Sequence, residues 1–279
     1  MLQTLRRSLT VCLLVAGCQS TAPQNSLVLS DIKTMGPDFT YCTVGDCSIT
    51  NSAKLQNDLG VPIAVHHECG APDQYAMTFD DAPSEYLPTI LEILNKEGVK
   101  ATIFVIGRKV DTPAKRALLK AAFDQGHQIS NHSFTHPDLT KLTRAQVQEE
   151  ARKSRDTILA AVGRDARSVR DASILRPPYG LINFDVQAAL ADAGFTTLRW
   201  NADRADWSLS EKDLDLVLFR VKQQLDLVKE KAGTGINTSL LDLNHDYSHV
   251  TTMALPKMID MIRKQGYRFV TLSECLRRD

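Results

Sequence analysis

The sequence has no excess charge of either sign: Lys and Arg number 33, Asp and Glu number 33, and the formal net charge is +0. A nucleic-acid partner selects a basic surface, so this balance argues against one. Near the N-terminus, the apolar run 8–16 is far shorter than the roughly 20 residues that span a bilayer. No glycine-rich phosphate fingerprint follows the first strand-like segment, which argues against a dinucleotide-binding fold. Residues 27–70 sustain neither a helical nor a strand period. What is present is ordinary for a globular chain: 279 residues, 43% hydrophobic, enough for one large α/β domain.

The short apolar run has a meaning of its own. It follows Arg6 and Arg7 and ends in Ala16 and Gly17. A positive start, a short apolar centre and small residues are the pattern of a secretory signal peptide, expected over residues 1–17. Leu14-Val15-Ala16-Gly17-Cys18 also resembles a bacterial lipobox, which would place a lipid anchor at Cys18 and give the chain its one route to a membrane. The chain is therefore expected to be exported, either secreted or held at the cell envelope. Without Cys12 and Cys18, four cysteines remain: Cys42, Cys47, Cys69 and Cys275. Export permits disulfides. Four cysteines allow three connectivities. The expected one pairs Cys42 with Cys47 as a local loop and Cys69 with Cys275 across the domain. Residues 18–74 read as a polar linker and an irregular extension, in which His66 and His67 are expected to be solvated and unpaired.

From residue 75 the pattern alternates. Strands are expected at 75–79, 101–106, 128–130, 173–176, 195–200, 239–243 and 268–271. Helices are expected at 84–97, 112–125, 143–162, 184–193, 211–231 and 254–265. Thr112 with Pro113, and Thr143, supply helix starts; Gly98, Gly126, Gly163 and Gly194 supply stops. Continuous strand–helix alternation implies parallel strands and right-handed crossovers. Seven or eight such units point to a distorted, incompletely closed (β/α)7-8 barrel over residues 75–279. Barrels of this kind carry their chemistry at the C-terminal ends of the strands.

Those ends are populated. Asp80 and Asp81 follow the first strand, and His132 and His136 the third. Arg176, Pro177, Pro178 and Tyr179 stand at the fourth. Asp203, Asp206 and Trp207 follow the fifth, and His245 and Asp246 the sixth. On a helical turn, His132 and His136 would present both imidazoles to one side. The metalloprotease motif would place a Glu beside the first His, and here there is none. Two nitrogens and one carboxylate with an open position make a catalytic zinc site. A carboxylate left off the metal can take a proton from activated water. His245 suits the proton donor, since imidazole titrates near neutrality, and Asp206 would favour its charged form. Arg176 can orient the basic carboxylate, and backbone N–H groups near Tyr179 can receive an oxyanion. Such a site hydrolyses an amide or ester. Trp200, Phe104 and Phe195 are expected in the core, whereas Trp207, beside a carboxylate, can stack on a sugar.

Five stretches in order resemble the motifs of the polysaccharide deacetylases, carbohydrate esterase family 4, with the NodB-homology barrel. They are Thr78-Phe79-Asp80-Asp81, His132-Ser133-Phe134-Thr135-His136, Arg176-Pro177-Pro178-Tyr179-Gly180, Asp203-Arg204-Ala205-Asp206-Trp207 and Leu243-Asn244-His245-Asp246, within about residues 75–272. The resemblance implies roles by position. Asp80 is the base and Arg176 its holder. Asp81, His132 and His136 are the metal ligands. His245 is the acid and Asp206 its partner. Tyr179 lends a backbone N–H, and Trp207 lines the groove. It also implies one divalent ion, zinc first and cobalt or manganese after it. The implied substrate is acetylated polysaccharide: chitin or chito-oligosaccharide foremost, then peptidoglycan or acetylated xylan. A monomer is expected, and a catalytically inactive carbohydrate-binding barrel is the reading from another class. One departure is Ala82, where the family usually has glycine; a positive φ there would strain alanine. Asn131-His132-Ser133 and Asn237-Thr238-Ser239 match the glycosylation acceptor.

Overall fold

The computed structural model describes residues 65–230, 235 and 237–276. The expected signal peptide, the Cys18 anchor and the Cys42–Cys47 pair lie outside the described residues. Strands come where apolar and β-branched residues run without a helical period. They are β1 (Val65–His66), β2 (Gln74–Ala76), β3 (Thr78–Ala82), β4 (Thr102–Val105), β5 (Gln128–Asn131), β6 (Ile174–Leu175), β7 (Thr196–Leu198), β8 (Ala202–Asp203), β9 (Leu240–His245) and β10 (Arg268–Val270). β2, β4, β5, β6 and nearly all of β3 and β9 are buried on both faces, as parallel strands covered by helices must be.

Every pairing is parallel, in the order β1-β7-β6-β5-β4-β3-β9-β2-β10, with β8 on β9. The expected strand at 75–79 is two strands. Both lie along β9, but β2 takes β10 on its other side and β3 takes β4. The sheet is not closed: among the described residues, no ladder joins β7 to β9. The chain crosses that gap instead. The Asn201 side chain accepts from Leu241 N at 2.7 Å, and Asn201 N donates to Leu241 O at 3.0 Å. The result is an incompletely closed α/β barrel.

The long helices begin at caps the sequence supplies. α1 (Leu87–Lys96) carries Pro88 in its first turn. Thr112 caps α2 (Pro113–Asp124), and Thr143 with Gln146 forms a reciprocal capping box on α3 (Arg144–Val162). α4 (Ala166–Ala172), started by Asp165, is too short to show in a periodicity window and was not expected. Asn183 caps α5 (Phe184–Asp192), and α6 spans Leu214–Glu230. α7 (His249–Lys264) begins five residues before the expected 254, because Ser248 accepts from Thr251 N and starts the helix there. α8 is Leu272–Cys275.

The main core lies between sheet and helices, with Phe79, Ile103, Val105 and Ile129 meeting Leu87, Leu119, Ile158 and Ile259. A second cluster gathers Ala76, Phe104, Ile174, Leu198 and Leu241 with Cys69 and Cys275. Those two cysteines form a disulfide, the expected long-range pairing, which ties the segment after β1 to α8. The sheet also starts earlier than the expected 75. His66 lies in β1, its carbonyl accepts from Arg199 N at 2.8 Å, and it is not the solvated residue expected.

Candidate active site

β3 bulges near its end, where its register with β4 shifts, because Asp81 adopts a left-handed backbone, φ 67°. The two adjacent carboxylates thereby diverge. Asp80 is buried, whereas Asp81 is half-buried at the rim. Its Oδ1 lies 3.4 Å from His132 Nε2 and 3.2 Å from His136 Nε2. His132 Nδ1 lies 2.8 Å from the Arg176 carbonyl, which can only accept, so Nδ1 carries the proton and Nε2 presents a lone pair. Asp81 Oδ1 is buried yet accepts no well-formed hydrogen bond. An unpaired carboxylate oxygen facing two imidazole nitrogens is a place that a cation would fit. One ligand atom from each of Asp81, His132 and His136 lies within 4.8 Å of the others, so these three could hold a divalent metal with a position left open.

The two histidines do not converge on a helical turn. Residues 132–136 form an irregular loop with Ser133 (φ 61°) and His136 (φ 62°) left-handed. Non-glycine residues held there cost on the order of 1 kcal/mol or more each, so neighbours must impose the shape. Glu150 on α3 accepts from Phe134 N (2.9 Å), Thr135 N (2.7 Å) and Thr135 Oγ1 (2.8 Å). Asn131 Oδ1 accepts from Ser133 N, and Gly107 N donates to Ser133 O. A Cβ on Gly107 would come within 2.7 Å of Phe134 and 2.9 Å of the Ser154 backbone, so glycine is what lets the loop pack this close.

Asp80 faces Arg176. Arg176 Nη1 donates at 2.7 Å both to Asp80 Oδ1 and to Thr78 Oγ1, and Nη2 reaches the carbonyls of Arg199 and Asp242 at 3.3 Å. The guanidinium is fully buried over the Phe104 ring. The other Asp80 oxygen lies 3.7 Å from His132 Nε2. Asp80 is therefore an oriented carboxylate beside the metal candidate, held by a cation.

Across the ladder Asp80 is the register partner of His245. His245 Nδ1 meets Asp206 Oδ1 at 2.7 Å, and Asp206 Oδ2 accepts from His245 N (2.9 Å) and Thr251 Oγ1 (2.7 Å). Burial pushes the His245 imidazolium down. The Asp206 carboxylate, with the charges of Asp80 and Asp81, pushes it up further, to about 9. Burial likewise works to raise Asp206, but the His245 and Thr251 hydrogen bonds and the His245 charge hold it below its ordinary range. The pair is an imidazolium–carboxylate with Nε2 free to give a proton.

Aromatic side chains surround these groups. Tyr179, left-handed at φ 59°, is 61% exposed and stands edge-on to His136 with ring centroids 4.6 Å apart. Gly180 follows it, also left-handed, and a Cβ there would strike Trp200 at 2.6 Å. Trp207 is 53% exposed. Asp203 does not join the chemistry directly; it accepts from Ala205 N and from the Trp200 ring.

A polysaccharide deacetylase family model matches residues 67–198. A chitooligosaccharide deacetylase of Sinorhizobium fredii is 32% identical over 203 residues, covering 71% of this chain and 89% of that protein. The chain belongs to the polysaccharide deacetylase family. The solved chitin deacetylase of Colletotrichum lindemuthianum superposes with a TM-score of 0.68 at 26% identity, over 78% of this chain and 93% of that one. A peptidoglycan-N-acetylglucosamine deacetylase of Listeria monocytogenes is 30% identical over 71% of this chain, which spans 38% of that relative's length.

Against the family's usual glycine, Ala82 carries no strain. The left-handed residue is Asp81, one position earlier, and Ala82 is a buried strand residue followed by a cis bond to Pro83. Neither glycosylation acceptor is open in this fold: Asn131 is fully buried, and Asn237 Nδ2 donates to Cys69 O at 2.7 Å. Several residues around the site carry no local signal in the sequence. Lys109 Nζ donates to Asp81 O at 2.6 Å, and Glu150 shapes the histidine loop. Asp246 N donates to Asp80 O while its carboxylate accepts from Ser84 N at 2.6 Å; burial pushes this carboxyl up to about 7. Tyr247, 41% exposed, places its ring 5.1 Å from that of His245. Of these, only Asp246 stood in an expected strand-end group.

Proposed function

We propose that this chain is a metal-dependent N-deacetylase of N-acetylglucosamine-containing polysaccharide, with chitin or chito-oligosaccharide as its substrate and zinc as its metal. The observation that carries the reading is the convergence of three assemblies on one rim: the Asp81, His132 and His136 cluster, the Arg176-held Asp80 and the Asp206-held His245. A divalent cation on the first would polarise the acetyl carbonyl and acidify water. Asp80, fixed by Arg176, accepts the proton that water releases. Arg176 keeps Asp80 aimed, and donates nothing to the reaction. The tetrahedral carbon bears an oxyanion, toward which the Tyr179 N–H is assigned. His245 Nε2 gives its proton to the sugar nitrogen as the C–N bond breaks, leaving acetate and a free amine. Trp207 and the Tyr179 ring offer faces for the sugar.

Chitin and chito-oligosaccharide come first on the Colletotrichum relative, which matches 86% of this chain against 71–72% for the peptidoglycan relatives. Peptidoglycan is the second reading, on relatives of comparable identity. The buried Cys69–Cys275 disulfide supports export, in keeping with a signal peptide at 1–17. We assign catalysis to the barrel, within residues 75–279.

The test is acetate release by the zinc-loaded chain from chito-oligosaccharide, peptidoglycan and acetylated xylan. Release from the first, lost on chelation and restored by zinc, is the expected result. Release only from the second or third moves the substrate assignment. Metal-loaded protein that binds these polymers but releases acetate from none is the inactive carbohydrate-binding barrel.

A further inference from the structure

β9 carries a charge where a parallel strand under helices would ordinarily carry an apolar residue. Alternation puts Asp242 on the face opposite Leu241 and Leu243. It is fully buried, as is Arg204, and the two form an ion pair. Tyr75 completes the group: its hydroxyl donates to Asp242 Oδ2 at 2.8 Å and accepts from Arg204 Nη2 at 2.6 Å. None of the three enters the chemistry proposed above. A buried ion pair is weak as a stabiliser, because the desolvation of both charges offsets most of their attraction. Its placement therefore asks for another explanation.

The group joins the two halves of the site. Arg204 stands directly after β8, which has only two residues and pairs with β9 alone. Ala205, left-handed at φ 50°, then turns the chain into Asp206, the partner of His245. Asp242 is three residues before His245 on the same strand. On the other side, Asn244 Nδ2 donates to Asp242 Oδ2 (2.9 Å) and to Thr78 O (3.0 Å). The Asp242 carbonyl accepts from Thr78 Oγ1 and from Nη2 of Arg176, whose other terminal nitrogen, Nη1, holds Asp80. One buried tie thus fixes the strand that delivers Asp206 and the strand that anchors Arg176.

We propose that Arg204, Asp242 and Tyr75 are positioning residues that set the spacing between the Arg176–Asp80 base and the Asp206–His245 acid. The proposal rests on the deacetylase reading for its kinetic test alone. Catalytic groups must be held to within about 0.5 Å, and a two-residue ladder is a poor means of doing so. The three act on one structural element, so their effects combine as a unit.

The test replaces the group by apolar residues of similar volume in the full-length, zinc-loaded chain: Tyr75→Phe, Arg204→Met and Asp242→Leu together. Apolar replacement of a buried ion pair leaves stability near wild type. The expected result is a Tm close to wild type, one zinc per chain, KM within about twofold and kcat down by at least tenfold, an effect typical of a displaced catalytic group. A crystal structure of the variant should show the Asp80–Arg176 or Asp206–His245 pair displaced. A kcat within about twofold of wild type, with both pairs in place, overturns the proposal. If the triple variant does not fold, Asp242→Asn decides, since it keeps the shape and removes the charge: an undiminished kcat there is equally fatal. If wild type releases no acetate from any polymer, the deacetylase reading fails, and the crystallographic displacement still decides this one.

Discussion

Asp206→Asn isolates the electrostatic role of the acid's partner. The substitution keeps the shape and removes one buried negative charge next to His245. In the native arrangement His245 titrates at about 9 against an ordinary 6.5, with Asp206 the largest influence raising it. Burial, which acts the other way, stays in the variant. The midpoint should therefore fall from about 9 back toward the ordinary 6.5 as the charged ring loses its largest favourable partner. At pH 8 the protonated fraction drops from about nine-tenths to about one-tenth, so kcat should fall roughly tenfold from protonation alone; at pH 6 that loss vanishes. The assay is acetate release between pH 5 and pH 10 on zinc-loaded protein, with zinc content checked at each pH. The expected signature is an alkaline limb moved from near pH 9 toward neutrality. Stability gives a second readout. A histidine with a raised folded pKa stabilises fully below its unfolded value and loses that contribution as pH rises through the folded one. The Tm gap between wild type and variant should be widest near pH 6 and shrink toward pH 9. An unmoved alkaline limb, or an equal loss of kcat at every pH, would refute the electrostatic role and leave Asp206 as a mere orienting group.

Asp80→Asn should retain one zinc per chain while kcat falls by roughly 10²–10⁴; loss of zinc instead would exchange the roles given to Asp80 and Asp81. His136→Ala should weaken zinc binding, read by competition with a chelator, and activity should return only at raised zinc; unchanged affinity would remove His136 from the ligand set. Cys275→Ser should lower stability by roughly 2–4 kcal/mol, since the Cys69–Cys275 bridge spans 206 residues. A denaturant titration showing no difference between the variant and wild type would mean that the bridge constrains little.

Much of the fold was legible because barrel strands and helices are local. Threonine caps, glycine stops and short apolar runs mark element after element, and errors fell where local rules compete. The strand at 75–79 is one apolar run, but its two halves meet different neighbours, β10 and then β4, which pairing alone decides. The helix begins at His249 and not at 254, because the Ser248 hydroxyl accepts from Thr251 N. The site was legible for a different reason: its groups stand just after strands, so chain order groups them as the fold does. His132 and His136 are the exception: their i,i+4 spacing suggests a helical turn, whereas Glu150 holds a loop in which Ser133 and His136 are left-handed.

By itself the sequence determined which elements form and which chemical groups end each strand, because caps, periodicity and residue type act within a few positions. Tertiary structure decided how those groups are charged and aimed. Asp80 and Asp81 are neighbours in sequence with the same side chain. Only the left-handed turn at Asp81, the guanidinium of Arg176 against Asp80 and the two imidazoles facing Asp81 make them different. The partners of Asp242 lie 38 and 167 positions away in Arg204 and Tyr75. No local pattern encodes a contact of that range; burial on one strand and the need to neutralise a charge there bring it about.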